Sequence, residues 1–295
     1  MSRRWIPFLF AAAALMAPAA SHAKLNVAAS TTDLASIAAS VGGDQVEVFA
    51  IARPGSDPHR IEALPSYMVK VSRAKLYLKV GLGLDQWADA IVDGSRNSSV
   101  QIVDCSRDVH VLEKPTGKVD ASMGDVHPDG NPHYWLDPRN GAVVANNIAD
   151  ALAKADPGNA EKYHARAEAF GKDAQAAWER NAEAAKKLGA HEIFTYHRSW
   201  SYFADAFGFD VVNTVEPVPG IPPTAKHLAE LVDQAKARKV GLLIQEPYFA
   251  SDGGKFLQRE AGVRPVVEAA SCDAPTAGSY LQHFDALLAA LAGGK

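Results

Sequence analysis

Basic residues gather nowhere in this chain. Lys and Arg number 30 against 34 Asp and Glu, for a formal charge of -4, and without a basic face there is no electrostatic footprint for a nucleic acid. Long apolar runs are as scarce. Ile6 to Met16 is shorter than the roughly 20 residues a helical span requires. It lies behind Arg3 and Arg4 and ahead of Ser21-His22-Ala23, which is the layout of a secretory leader. Residues 1–23 are therefore expected to be removed near Ala23, leaving an exported chain. Cysteine is rare, and none stands at the cleavage point, so no lipid anchor is expected. The two that remain, Cys105 and Cys272, have three readings: a disulfide in an oxidising compartment, two buried thiols, or Cys272 as a soft metal ligand. Finally, HExxH and other compact metal-hydrolase signatures are missing.

What is present is an alternation of short apolar runs and amphipathic helical segments. Leu25 to Ser30 and Val46 to Ala52 read as strands, with a helix opened at Thr32-Asp33 and closed by Gly42-Gly43 between them. Strands at Leu76 to Val80 and Val100 to Asp104 continue the series. The second half repeats the logic with strands ending near Tyr196, Val215, Gln245 and Ala269. The expected fold class is α/β, with two similar lobes of mainly parallel sheet. Between them, residues 159–189 form one long helical stretch rich in Ala, Glu and Lys, read as a rigid strut. The expected division is residues 24–158, the linking helix 159–189, and residues 190–295.

Chemistry concentrates in one stretch, GDVHPDGNPHYWLDPRN from Gly124 to Asn140. Pro132 holds Asn131 extended and presents His133 from a stiff loop, and Asp137-Pro138 reads as a helix start. Asp57-Pro58-His59 repeats the Asx-Pro-His step. His197 follows a strand in the second half, and Asp273 follows another. Ligands of open parallel sheets gather beyond the carboxyl ends of strands, so two facing lobes would bring His59, His133, His197 and Asp273 into one cleft. Imidazoles with one carboxylate suit a divalent transition metal. Glu246 and water are the alternatives to Asp273. His127, Asp125 and Asp129 are candidates for accessory metal capture, and Asp57 and Glu62 for support of His59. His110, His164, His191, His227 and His283 read as ordinary polar residues, and Trp200, Tyr202 and Phe203 as core.

The motifs RPGSDPH, GNPHYWLDPRN, FTYHRSWSYFADAFG and EPVPGIPPTAKHLAEL, in that order around a long helix, resemble the zinc and manganese solute-binding proteins of bacterial ABC transporters. The resemblance spans essentially all of the chain after the leader. It implies two α/β lobes joined by a rigid helix, a metal held between them by His59, His133, His197 and Asp273, and no enzymatic activity. It further implies a periplasmic monomer that delivers the metal to a membrane permease, with a metallochaperone as a further partner to consider. His197 stands where manganese-type members place Glu, so the resemblance points to Zn²⁺. A manganese- or iron-binding protein of the same type, and a secreted zinc hydrolase using Glu246 or Glu216, are the rival readings.

Overall fold

The computed structural model describes residues 23–120 and 123–293, so the leader expected over residues 1–23 lies almost wholly outside the described residues. The first half forms a parallel sheet of β1 (Leu25–Ala29), β2 (Val46–Ala50), β3 (Leu76–Lys79) and β4 (Gln101–Asp104), ordered β2-β1-β3-β4. The second half repeats the plan with β5 (Glu192–Thr195), β6 (Asp210–Thr214), β7 (Leu242–Gln245) and β8 (Arg264–Val267), ordered β6-β5-β7-β8. Covered parallel strands read as apolar runs, as in Leu76 to Leu78 and Leu242 to Ile244.

In each sheet the chain reverses its direction of winding between the first and third strands. The crevice beyond their carboxyl ends is where such sheets bind ligands. The two crevices are filled differently. In the first half Asp85 occupies it, buried, and accepts hydrogen bonds from the Val80 and Gly81 amides at 2.7 and 3.1 Å and from the Ser30 hydroxyl. In the second half the crevice holds His197, two residues beyond β5, and Glu246, one residue beyond β7.

The helices follow local signals. Thr31 caps α1 (Thr32–Gly42) by accepting from the Leu34 amide. Asp137 caps α4 (Pro138–Ala155) by accepting from Arg139, with Pro138 in the first turn. Short helices α2 (Pro65–Val71) and α3 (Trp87–Ser95) cover the first sheet, and α6 (Ser201–Phe207), α7 (Ala225–Arg238) and α8 (Asp252–Ala261) the second. The long helix α5 runs from Ala160 to Lys186, 27 residues and about 40 Å at 1.5 Å per residue. Asn159, which precedes it, makes no side-chain cap; its side-chain amide donates to Asp156 Oδ2 at 2.7 Å.

The long helix buries one stripe, Tyr163, Ala167, Phe170, Ala174, Ala177, Asn181 and Ala185, at the spacing of a helix face. Near its start Arg166 bonds Gly42 and Asp44 of the first half. Near its end Trp178 donates to the Ala206 carbonyl and Arg180 pairs with Asp285. It is thus a strut in contact with both halves. The closing helix α9 (Ser279–Leu291) crosses back to pack on α1 and α5, and the largest apolar cluster is continuous from Val27 to Leu291. Side chains on α1 tie the two halves further: Thr32 Oγ1 donates to the Cys272 carbonyl at 2.6 Å, and Asp33 Oδ1 accepts from the Cys272 amide at 2.9 Å.

That junction carries a stability prediction. Asp33 is fully buried and its Oδ2 has no partner. Burial outweighs the hydrogen bonds from Cys272 and Ser271 and raises its pKa from 3.8 to about 6. Between those values the folded state binds a proton that the unfolded state does not. Its contribution therefore favours folding below pH 4 and is lost as pH rises through 6. A shift of some two units corresponds to roughly 3 kcal/mol. Asp33→Asn is expected to raise stability at pH 7 by up to about that amount, with the gain vanishing near pH 4. Urea unfolding of both proteins at the two pH values measures it.

Candidate metal centre

Each half contributes its imidazoles through a different local device. Asp57-Pro58-His59 and Asn131-Pro132-His133 fold alike. Asp57 Oδ1 accepts from both the His59 amide (3.0 Å) and His59 Nδ1 (2.9 Å), and Asn131 Oδ1 accepts from the His133 amide (3.0 Å) and His133 Nδ1 (2.8 Å). The proline fixes the bend, and the preceding Asx side chain orients the ring. His197 has no such neighbour in sequence. Its Nδ1 lies 2.7 Å from Glu216 Oε2, at the end of β6. All three rings therefore engage an oxygen acceptor at Nδ1, which sets the tautomer that leaves Nε2 with a free lone pair.

The ligand atoms of His59, His133 and His197 converge to within 4.8 Å of one another. Their ring centroids stand 5.0 to 5.6 Å apart. His133 and His197 are buried and the His59 side chain is 11% exposed. The Nε2 atoms of His59 and His133 are buried with no partner. Lone pairs buried there without donors to satisfy them are costly in a protein interior, and a cation relieves that cost. Beside them lies a cavity of about 30 Å³, lined by His127, His133, His197, Asn131, Asp125 and Pro219 among others.

The electrostatics divide the rings. Burial, and then the charges of His59, His197 and His127, hold His133 well below its ordinary value. Burial also pushes His197 down. The Glu216 hydrogen bond and the charges of Glu246, Glu216 and Asp57 outweigh it, and His197 ends above 6.5. Glu246 is fully buried, accepts from Ser199 Oγ at 2.5 Å and keeps Oε2 unpartnered. Burial raises it to about 7 against the pull of His197. A cation in the site would ionise it.

Asp273 is not brought to this cluster. Its neighbour Cys272 is pinned inward on Thr32 and Asp33, which turns Asp273 out to solvent, where its charge acts on Glu268 and His283. Apart from Asp57 and Glu216, which hold rings at Nδ1, the buried acidic side chain that acts on His197 is Glu246. Of the three readings of the cysteines, the structure has the two buried thiols. Cys105 and Cys272 are free and buried, the first behind β4 under Asn147, the second on the start of α1. Asp125 pairs with Arg60 at 3.4 Å, while Asp129 and Glu62 are exposed. His127 stacks on His59 with centroids 5.3 Å apart.

Sequence reasoning missed three supports. Glu216 lies 19 positions from His197, and only its place at a strand end ahead of PVPGIPP marks it. Tyr202, read as core, has its hydroxyl between the Leu112 amide and the Asn131 carbonyl, closing the base of the loop that carries His127. Phe249 packs on Tyr196 and His197 and left no signal.

Two α/β lobes joined by a strut, with a buried imidazole cluster beyond the strand ends, define a binding protein of the cleft type. Residues 27–294 match the family described as "ZnuA: Zinc-uptake complex component A periplasmic", and the chain belongs to it. Among relatives, iron-binding protein YfeA of Yersinia pestis is 25% identical over 254 residues, spanning 84% of this chain and 77% of that protein. The manganese ABC transporter substrate-binding lipoprotein PsaA of Streptococcus mitis is 31% identical over 237 residues, spanning 74% and 72%. A crystal structure of ZnuA shares the fold at a TM-score of 0.78 and 24% identity, covering 92% of this chain and 99% of that one. The chain is thus a metal-binding substrate-binding protein of the ABC transporter type, a class that works with a membrane permease and ATPase. Among the described residues no helix is long and apolar enough to cross a membrane.

Proposed function

We propose that this protein captures Zn²⁺ on the Nε2 atoms of His59, His133 and His197 outside the cytoplasmic membrane, as a monomer, and delivers it to a permease. The observation that carries this reading is the convergence of three Nδ1-anchored imidazoles, two of them with buried and unpartnered Nε2 atoms. An all-nitrogen set favours zinc over manganese, which prefers oxygen donors. Relatives are described as binding iron and manganese, and one feature favours such a harder ion: the free Oε2 of Glu246 beside His197. A hydrolase reading has less support, because Glu216 is committed to His197 and Glu246 has one oxygen held by Ser199.

The strut, and the bonds from α1 to Cys272, restrain the lobes. Release is therefore expected through local loop movement rather than wide hinge opening. Competition titration of the metal-stripped protein tests the cargo. Zinc is expected to bind at one site and to displace manganese at equal concentration. A protein that prefers manganese, and loses that preference in Glu246→Gln, would replace this reading by the harder-ion one.

A further inference from the structure

We propose that His127 is a fourth ligand to the ion held by His59, His133 and His197, supplied by a loop that spans both halves, so that the bound ion itself fastens that loop. This rests on the zinc reading above and adds a residue and a release step to it.

The loop around His127 faces water: Pro128 and Asp129 are exposed. The ring does not. Its Nε2 is buried without a partner, which is unfavourable for a polar atom one residue from open solvent unless something occupies it. The ring stacks on His59 at 26° between planes and lines the same cavity as His133 and His197. Three imidazoles leave one position of a tetrahedral zinc open. Glu246 has one oxygen committed to Ser199, and Asp273 points to solvent. His127 lies outside the group whose atoms are within 4.8 Å, so its ring has to advance toward the trio when the ion arrives.

Both halves place this loop. The Asp125 amide donates to the Pro219 carbonyl at 2.9 Å. That crossing is so close that a Cβ on Gly124, at φ +66, would lie 2.1 Å from the Pro219 oxygen, and one on Gly220, at φ +79, would lie 2.3 Å from Asp125 Oδ2. At Gly124 the clash is with backbone, so only glycine fits, and at Gly220 the positive φ favours glycine. Arg60, next to the ligand His59, reaches Asp125, and Tyr202 closes the loop at its base. An ion bound by His127 therefore joins the first-half loop to the Pro219 turn of the second. Detachment of His127 becomes the first step of release.

X-ray absorption at the zinc edge on the one-zinc protein, with stopped-flow transfer of zinc to a chelator, tests this. Wild type is expected to show four imidazoles. His127→Ala is expected to show three with an oxygen in place of the fourth, and zinc loss at least about 10-fold faster. Gly124→Ala, which keeps His127 but displaces its loop, is expected to do the same. Four imidazoles retained in His127→Ala, or three in both proteins with transfer rates within twofold, would overturn the proposal while leaving the zinc reading intact. Failure of wild type to bind zinc would overturn both.

Discussion

His197→Ala is expected to weaken zinc binding by more than about 100-fold, beyond the 10- to 100-fold that loss of an outer hydrogen-bond partner costs. Two features single out this ring. It is the only one of the three supplied by the second half, so its removal leaves the ion on one lobe. It is also fixed from outside its own segment, by Glu216 two residues beyond the neighbouring strand β6. The loss leaves Glu246 buried at full desolvation cost with no imidazole beside it, so partial compensation by the carboxylate is the one route to a smaller effect. His197→Ala with Glu246→Gln closes that route and is expected to bind no more tightly than the single variant. Chelator competition at pH 7.5 measures both.

The second large effect is acid release. Zinc needs each Nε2 unprotonated, so a proton competes only where the ring takes it up readily. Burial keeps His133 neutral far into the acid range. His197, raised above 6.5 by carboxylates that overcome its burial, takes its proton first. Affinity is therefore expected to begin falling above pH 6.5 and to decline about tenfold per pH unit below the His197 pKa, since one proton is exchanged for one ion. Glu216→Gln separates the two roles of that carboxylate. Binding at pH 7.5 is expected to weaken by roughly 10- to 100-fold, because the ring loses the acceptor that orients it and enriches Nε2. The onset of acid release is expected to move to lower pH, because the proton loses its best partner. A variant that weakened binding with an unmoved onset would show that another group takes the competing proton.

Much of the candidate site was legible in the chain because two of its three imidazoles carry their own support. In Asp57-Pro58-His59 and Asn131-Pro132-His133 the proline, the orienting side chain and the ring lie within three residues, so the device can be read as a local motif. His197 could be placed only by position, one step past an apolar strand. Its partner Glu216 follows another strand, and sequence does not state which strands pair. Asp273 was misplaced for a related reason. Its position after a strand fitted the topology, but the Thr32 and Asp33 contacts that turn Cys272 inward and Asp273 outward join residues about 240 positions apart. The fold itself was more accessible, since alternation of apolar runs and capped helices recurs in both halves. The return of the closing helix onto α1 and α5 was not, because an apolar helix face does not name what it packs against.

One measurement bears most directly on the three-imidazole site. Crystals of the protein loaded with one equivalent of zinc, with diffraction recorded on both sides of the zinc absorption edge, locate the ion without reference to sequence. The expected map holds one dominant peak about 2.0 to 2.1 Å from Nε2 of His59, His133 and His197 together, with Asp273 remote from it. A dominant peak bound to Asp273, or one that omits His197, would contradict the account and return the assignment of the second-half ligands to the beginning.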